Sequence, residues 1–227
     1  AGRGHDESSE TSRRRPEDGG EKAEVKYLKD TVYDQIKTKI IECEYPPDSI
    51  LTEARLMEDT GVSRTPIREA INRLAHENLV MVIPKKGILV KGITIRDIIQ
   101  VFETREIIEP ELMREYGDRL NKVMIREFVQ ACKTEEQIER KINLDERFHR
   151  MLYDVCGNRY LKELLLMLEG HNHRNRVWRS NEARVNDSQK EHIAIAEAVL
   201  QDDYEQAARL LKEHLANAKE YAMKKYL

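Results

Sequence analysis

Four side chains of metal-ligating type, Asp145, His149, His192 and His214, lie in the second half of the sequence, each at helical spacing from apolar neighbours. Asp145 and His149 are four apart in INLDERFHRMLYDV and share a stripe with Ile138, Ile142, Leu152 and Cys156. His192 shares a face with Ile195, Ala196 and Val199, and His214 with Leu211, Leu215 and Ala218. Taken singly, each reads as a core polar residue satisfied by a hydrogen bond. Together, an acid and three imidazoles directed inward from three helices are what a bundle-core cation site requires, because burying them without a cation demands many compensating partners.

Other polar positions point the same way. Arg105 interrupts the stripe Ile98, Val101, Phe102, Ile108 and Leu112, so its guanidinium needs an anion, either a structural Glu or a ligand carboxylate. Ser188 precedes His192 by one turn, and His171, Asn175 and Trp178 continue the stripe of Leu164 and Leu168. Trp178 reads as a pocket wall or as plain core. Arg105, His171, Asn175, Trp178 and Ser188 are therefore the candidate effector contacts. His173, Arg174, Arg176 and Arg179 read as solvated.

A second constellation is GVSRTPIREAINRLA at residues 61–75. Gly61 suits a left-handed cap, Ser63 an N-cap, and Pro66 is tolerated in a first helical turn. Ile67, Ile71 and Leu74 form one stripe, which leaves Arg64 and Arg68 outward and four apart, placed to meet guanine edges or phosphates in a major groove. Thr65 and the backbone N–H groups at this helix start suit phosphate anchoring.

The elements that must position these groups follow from periodicity. A helix is expected over Tyr27 to Glu42, ended by Pro46 to Asp48, and a second from Thr52, an N-cap with Arg55 at N3, to Gly61. After the third helix, Leu79 to Ile83 and Ile88 to Val90 read as strands joined by a turn containing Pro84, Lys85, Lys86 and Gly87. Three helices and this wing predict a winged helix-turn-helix. From Thr94 on, the pattern predicts only helices, at about 94–117, 120–135, 137–156, 158–180, 187–201 and 203–225, forming an all-α bundle.

Composition bounds the function. The 227 residues allow two domains, here 23–92 and 93–227, behind a polar segment at 1–22 read as a disordered tail. The fold class is mainly α, with an N-terminal winged helix-turn-helix and a C-terminal all-α bundle. A net charge of -3 argues against general nucleic-acid coating, so DNA contact must be local. No apolar run approaches the ~18–20 residues of a membrane span, no secretory signal is visible at the start, and Cys43, Cys132 and Cys156 lack metal or disulfide spacing. A cytoplasmic location without membrane partners is the expectation.

The stretch LTEARLMEDTGVSRTPIREAINRLAHENLV followed by PKKGILV resembles the winged helix of the GntR family of bacterial transcription regulators. That implies operator binding as a homodimer, with Arg64, Thr65, Arg68 and Gly87 contacting DNA and the wing, with Lys85 and Lys86, probing the minor groove. One departure is Ala54, where many relatives carry a basic residue after the glutamate that corresponds to Glu53. Arg55 follows it and is the basic candidate on this helix. Asn143, Asp145 and His149, with two histidines 22 residues apart in the last two helices, resemble the FCD ligand-sensing domain of the FadR-like branch. This implies a divalent cation, typically zinc, nickel or manganese, on Asp145, His149, His192 and His214, completed by a small carboxylate or sugar-acid effector. The resemblance makes a repressor the default. Two alternatives are a regulator that answers the cation alone, and a metal-dependent hydrolase with Glu146 near the site. The second is disfavoured because no further carboxylate or nucleophile is placed at a reacting position and a DNA reader has no role in it.

Overall fold

The computed structural model describes residues 31–179 and 182–224; the tail at 1–22 lies outside them. Helix α1 occupies 31–41, burying Val32, Ile36 and Ile40. Strand β1 (Ile50–Leu51) and helices α2 (Glu53–Thr60) and α3 (Arg64–His76) follow, then β2 (Val80–Ile83) and β3 (Gly87–Val90). The three strands form an antiparallel sheet in the order β1-β3-β2. The two-residue β1 escapes sequence reading because it is too short to show alternation.

Local chemistry sets these boundaries. The Thr52 side chain accepts from Arg55 N, and Gly61 closes α2 at φ 72. Ser63 holds the N-cap position of α3 but makes no side-chain capping bond, contrary to expectation. Pro66 at N3 has no N–H to offer, which removes one of the two donors an N-cap hydroxyl can meet. In the wing, Gly87 has φ 126, and a Cβ there would lie 2.5 Å from the Leu51 carbonyl oxygen, so only glycine fits.

The bundle comprises α4 (Ile95–Tyr116), α5 (Lys122–Thr134), α6 (Ile138–Val155), α7 (Arg159–Arg179), α8 (Glu182–Leu200) and α9 (Tyr204–Lys224). Helix α8 begins earlier than position 187, the start expected from its apolar stripe. Thr94 and Asp97 form a reciprocal capping box for α4, which continues through Pro110. A proline inside a helix costs about 3 kcal/mol, and here it is buried in the packed interior beside Leu112 and Met113.

Two separate cores result. One centres on Ile36, Leu56, Ile67 and Leu74, and the other on Phe128, Phe148, Leu152 and Leu211. Among the described residues no helix is long and apolar enough to cross a membrane.

The face of α7 toward the winged domain joins the two. His171 Nε2 lies 2.9 Å from the Glu77 carbonyl oxygen, Arg174 donates to the Lys91 carbonyl, and His173 Nε2 lies 3.0 Å from Glu42 Oε1. Gly170 packs beside Ile41.

Candidate metal centre and nucleic-acid interface

One donor atom from each of Asp145, His149, His192 and His214 lies within 4.8 Å of the others. Asp145 and His149 project from α6, His192 from α8 and His214 from α9, so packing three helices against one another assembles the group. All three histidines are buried, and Asp145 nearly so.

The surroundings fit a cation. His149 Nδ1 is 2.7 Å from Glu109 Oε2, and His214 Nδ1 is 2.7 Å from Glu191 Oε2. Each carboxylate holds the proton on Nδ1 and leaves the Nε2 lone pair for a metal. His192 Nε2 lies 3.3 Å from His149 Nε2. Two lone-pair nitrogens at that separation repel unless a proton or a cation stands between them. Burial pushes His192 well below the usual imidazole range and His214 down to about 4, the latter against the pull of Glu191. Both stay neutral, the form that ligates metals.

Charged groups ring the site. Burial would raise Glu109, but Arg105 and His149 hold its carboxyl far below the normal range. Arg105 Nε donates to Glu109 Oε1 at 2.5 Å, so the structural Glu alternative for Arg105 is the one realised. Tyr153 donates to the same oxygen at 2.6 Å. Glu191 is likewise held at about 2, against burial, by hydrogen bonds from His214 and Arg184. Arg184 reaches Glu191 with both terminal nitrogens, at 3.0 and 2.9 Å.

A cavity of about 70 Å³ opens onto the cluster, walled in part by Arg105, Asn175, Arg176, Arg184 and Ser188. Ser188 donates to Asp145 Oδ1 at 2.7 Å. His171 is not on this wall, because it faces the winged domain, and Trp178 is exposed rather than core or pocket wall. Arg174 and His173 are buried at the domain seam and Arg176 donates to Asp145 and to Glu146, so the solvated reading of these three fails. The side chain of Arg179 lies outside the described residues. Sequence reasoning missed Glu109, Tyr153, Arg176, Arg184 and Glu191. Glu109 alone had a legible signal, four residues after Arg105 on one stripe.

On the winged domain, Arg64, Thr65 and Arg68 are exposed on α3, and Lys85 and Lys86 at the wing tip. Glu53 on α2 gathers the two arginines, with Arg68 Nε at 2.7 Å and Arg64 Nε at 3.2 Å. Arg55 is exposed and lies 3.6 Å from Asp59.

The family model for bacterial regulatory proteins, gntR family, matches residues 28–90, and that for the FCD domain matches residues 100–217. This chain belongs to the GntR family and carries an FCD domain. The GntR regulator is 28% identical over 192 residues to the uncharacterized HTH-type transcriptional regulator YdhC of Bacillus subtilis, covering 80% of this chain and 85% of that protein. It is 26% identical over 198 residues to the HTH-type transcriptional repressor GlaR of Escherichia coli, covering 81% and 90%. A solved putative GntR regulator from Rhodococcus sp. RHA1 shares the fold, with a TM-score of 0.76 at 20% identity over 88% of this chain and 99% of that one. These relatives are regulators, in keeping with a non-enzymatic, DNA-binding chain.

Proposed function

We propose that this GntR regulator is a homodimeric repressor whose operator affinity is set by a small carboxylate or sugar acid bound beside a divalent cation on Asp145, His149, His192 and His214. The observation that carries the reading is the converging donor set with Glu109 and Glu191 behind two of its imidazoles. When bound, the cation would supply fixed positive charge and coordination positions for acid oxygens; the three imidazoles suit zinc or nickel, and the Asp145 carboxylate with acid oxygens admits manganese.

The chain's own residues favour an acid as the companion. Arg176 Nε is buried and meets no acceptor among the described residues, so it is a donor for a carboxylate entering the cavity. Arg105 and Arg184 line the same wall, with their charges met by Glu109 and Glu191. The repressor sign rests on the likeness to the repressor GlaR.

DNA reading falls to α3 and the wing. Arg64 and Arg68, pre-oriented by Glu53, are assigned to base edges, Thr65 and Arg55 to phosphates, and Lys85, Lys86 and Gly87 to the minor groove. Arg68→Ala is expected to weaken specific operator binding by ~1–3 kcal/mol with the fold intact, read by fluorescence anisotropy. Unchanged affinity removes Arg68 from base reading. For the sensor half, thermal unfolding is measured with a panel of sugar acids before and after chelation. An acid that stabilises only the metal-loaded protein supports the reading, and one that stabilises both forms equally sinks the metal-anchored site.

A further inference from the structure

The docking seam and the cluster share helix α7 and stand one layer of side chains apart. A cavity of about 230 Å³ lies between the winged domain and the bundle, and Phe102, Asn172 and Asn175 border both it and the cavity at the cluster. A charged bridge crosses this layer. Asp145 and Glu146 are consecutive on α6, yet they serve different places. Asp145 belongs to the cluster, whereas Glu146 accepts from His173 Nδ1, and His173 Nε2 lies 3.0 Å from Glu42 Oε1 of the winged domain.

Arg176 of α7 forks across this pair of acids, donating through Nη1 to Asp145 Oδ2 and through Nη2 to Glu146 Oε1 at 2.9 Å. The oxygen it takes on Glu146 is the one that His173 takes, so the two donors share a single acceptor atom. One guanidinium thus divides its charge between two carboxylates, and the division depends on what else Asp145 serves. Ser188 already donates to Asp145 Oδ1. A divalent cation on Asp145 would take up that carboxylate's charge and repel the guanidinium beside it, in a buried setting where such forces are weakly screened. Glu146 is then the acid within reach to which Arg176 can turn. Its Oε1, drawn more fully to Arg176, holds the His173 ring less firmly toward Glu42.

We propose that Arg176 is the positioning residue through which a cation at the cluster is felt at the docking seam, by shifting from Asp145 onto Glu146 and slackening the chain Glu146–His173–Glu42 between bundle and winged domain. The inference rests on the metal reading of the cluster and gives that site a route to the DNA-reading domain. The coupling is reciprocal, because a cation that loosens the seam is held more tightly once the seam has opened.

The test uses full-length protein, chelated and then saturated with zinc, with amide exchange followed by mass spectrometry. The stretches of interest are residues 38–45, which carry Glu42, and those around His192 and His214. Competition with a chromophoric chelator sets the zinc level that saturates each protein. Zinc is expected to slow exchange around the two histidines and to quicken it at 38–45 by about threefold or more. In Arg176→Lys, whose single ammonium cannot span both acids, and in Glu146→Gln, zinc should still slow the cluster stretches while the change at 38–45 disappears. His192→Ala should abolish both changes. Circular dichroism checks folding, and Glu146→Gln decides if Arg176→Lys does not fold. Zinc uptake by the parent without a change at 38–45, or a change there that survives in Arg176→Lys, Glu146→Gln or His192→Ala, overturns the inference and leaves the metal reading standing. Loss of zinc uptake in Arg176→Lys or Glu146→Gln makes that residue part of the metal site itself and overturns the coupling role. No zinc uptake by the parent defeats the metal reading, and the inference falls with it.

Discussion

A carboxylate buried away from water costs several kcal/mol unless its lone pairs are occupied, and Glu109 meets that demand with Arg105, Tyr153 and His149 at once. One side chain on α4 therefore compensates a buried guanidinium, a phenol and a candidate metal ligand. Glu109→Ala should destabilise the protein by about 3–5 kcal/mol, because Arg105 would be left as an unpaired buried charge. Glu109→Gln keeps the shape and one acceptor, and on the proposed metal reading it should lower zinc affinity roughly 10–100-fold. Denaturant midpoints and zinc titration separate the two effects. If Glu109→Gln binds zinc as tightly as the parent, its contact with His149 does not tune a metal ligand.

At the scale of the element, a cap is worth something only where a donor exists to be capped. Thr52→Ala should cost about 1 kcal/mol, since it removes the acceptor for Arg55 N, whereas Ser63→Ala should be close to neutral because Ser63 makes no side-chain capping bond. Urea unfolding of both variants checks the contrast, and equal costs would contradict it. The same residues show what the sequence could and could not convey. Patterning sufficed for α2, α3, the wing and the bundle helices, since one apolar stripe against one core is a local signal. It also sufficed to turn Asp145, His149, His192 and His214 inward, where their donor atoms converge. Helix α7 defeats that logic because it is covered on two sides: Asn172, His173, Arg174 and Asn175 are consecutive and all buried, between the winged domain and the bundle. A single stripe through His171, Asn175 and Trp178 assigned one helix face to one pocket, whereas His171 serves the seam, Asn175 borders both cavities and Trp178 meets solvent. The run of Arg174 and Arg176 looked like a solvated face because their counter-groups, the Lys91 carbonyl and Asp145, lie far away in sequence.

At the scale of the whole molecule, the docking of reader on sensor depends on two histidines of α7 that respond to acid in opposite senses. Burial lowers the His171 pKa below its ordinary 6.5, while its neutral ring meets the Glu77 carbonyl. The docked state thus binds that proton less readily than the undocked one, and His171's contribution is intact above about pH 6.5 and lost as pH falls. For His173, burial alone would lower the pKa, but Glu146 and then Glu42 raise it. Glu146 belongs to the bundle and stays with His173 on undocking, so the seam's share comes from Glu42 alone; that share is complete below about pH 6.5 and lost as pH rises through the raised value. Arg174 also faces His171 and lowers its pKa further, whereas Asp97 and Glu77 pull it up. Seam stability should therefore peak at intermediate pH. Amide exchange in the last turn of α3 and along α7, corrected for intrinsic rates, is expected to quicken on either side of that peak. His171→Gln should remove the acid-side loss and His173→Gln the alkaline-side loss, because glutamine keeps a hydrogen-bonding amide without a titrating proton. An acid response that survives in His171→Gln would show that protonation elsewhere loosens the seam.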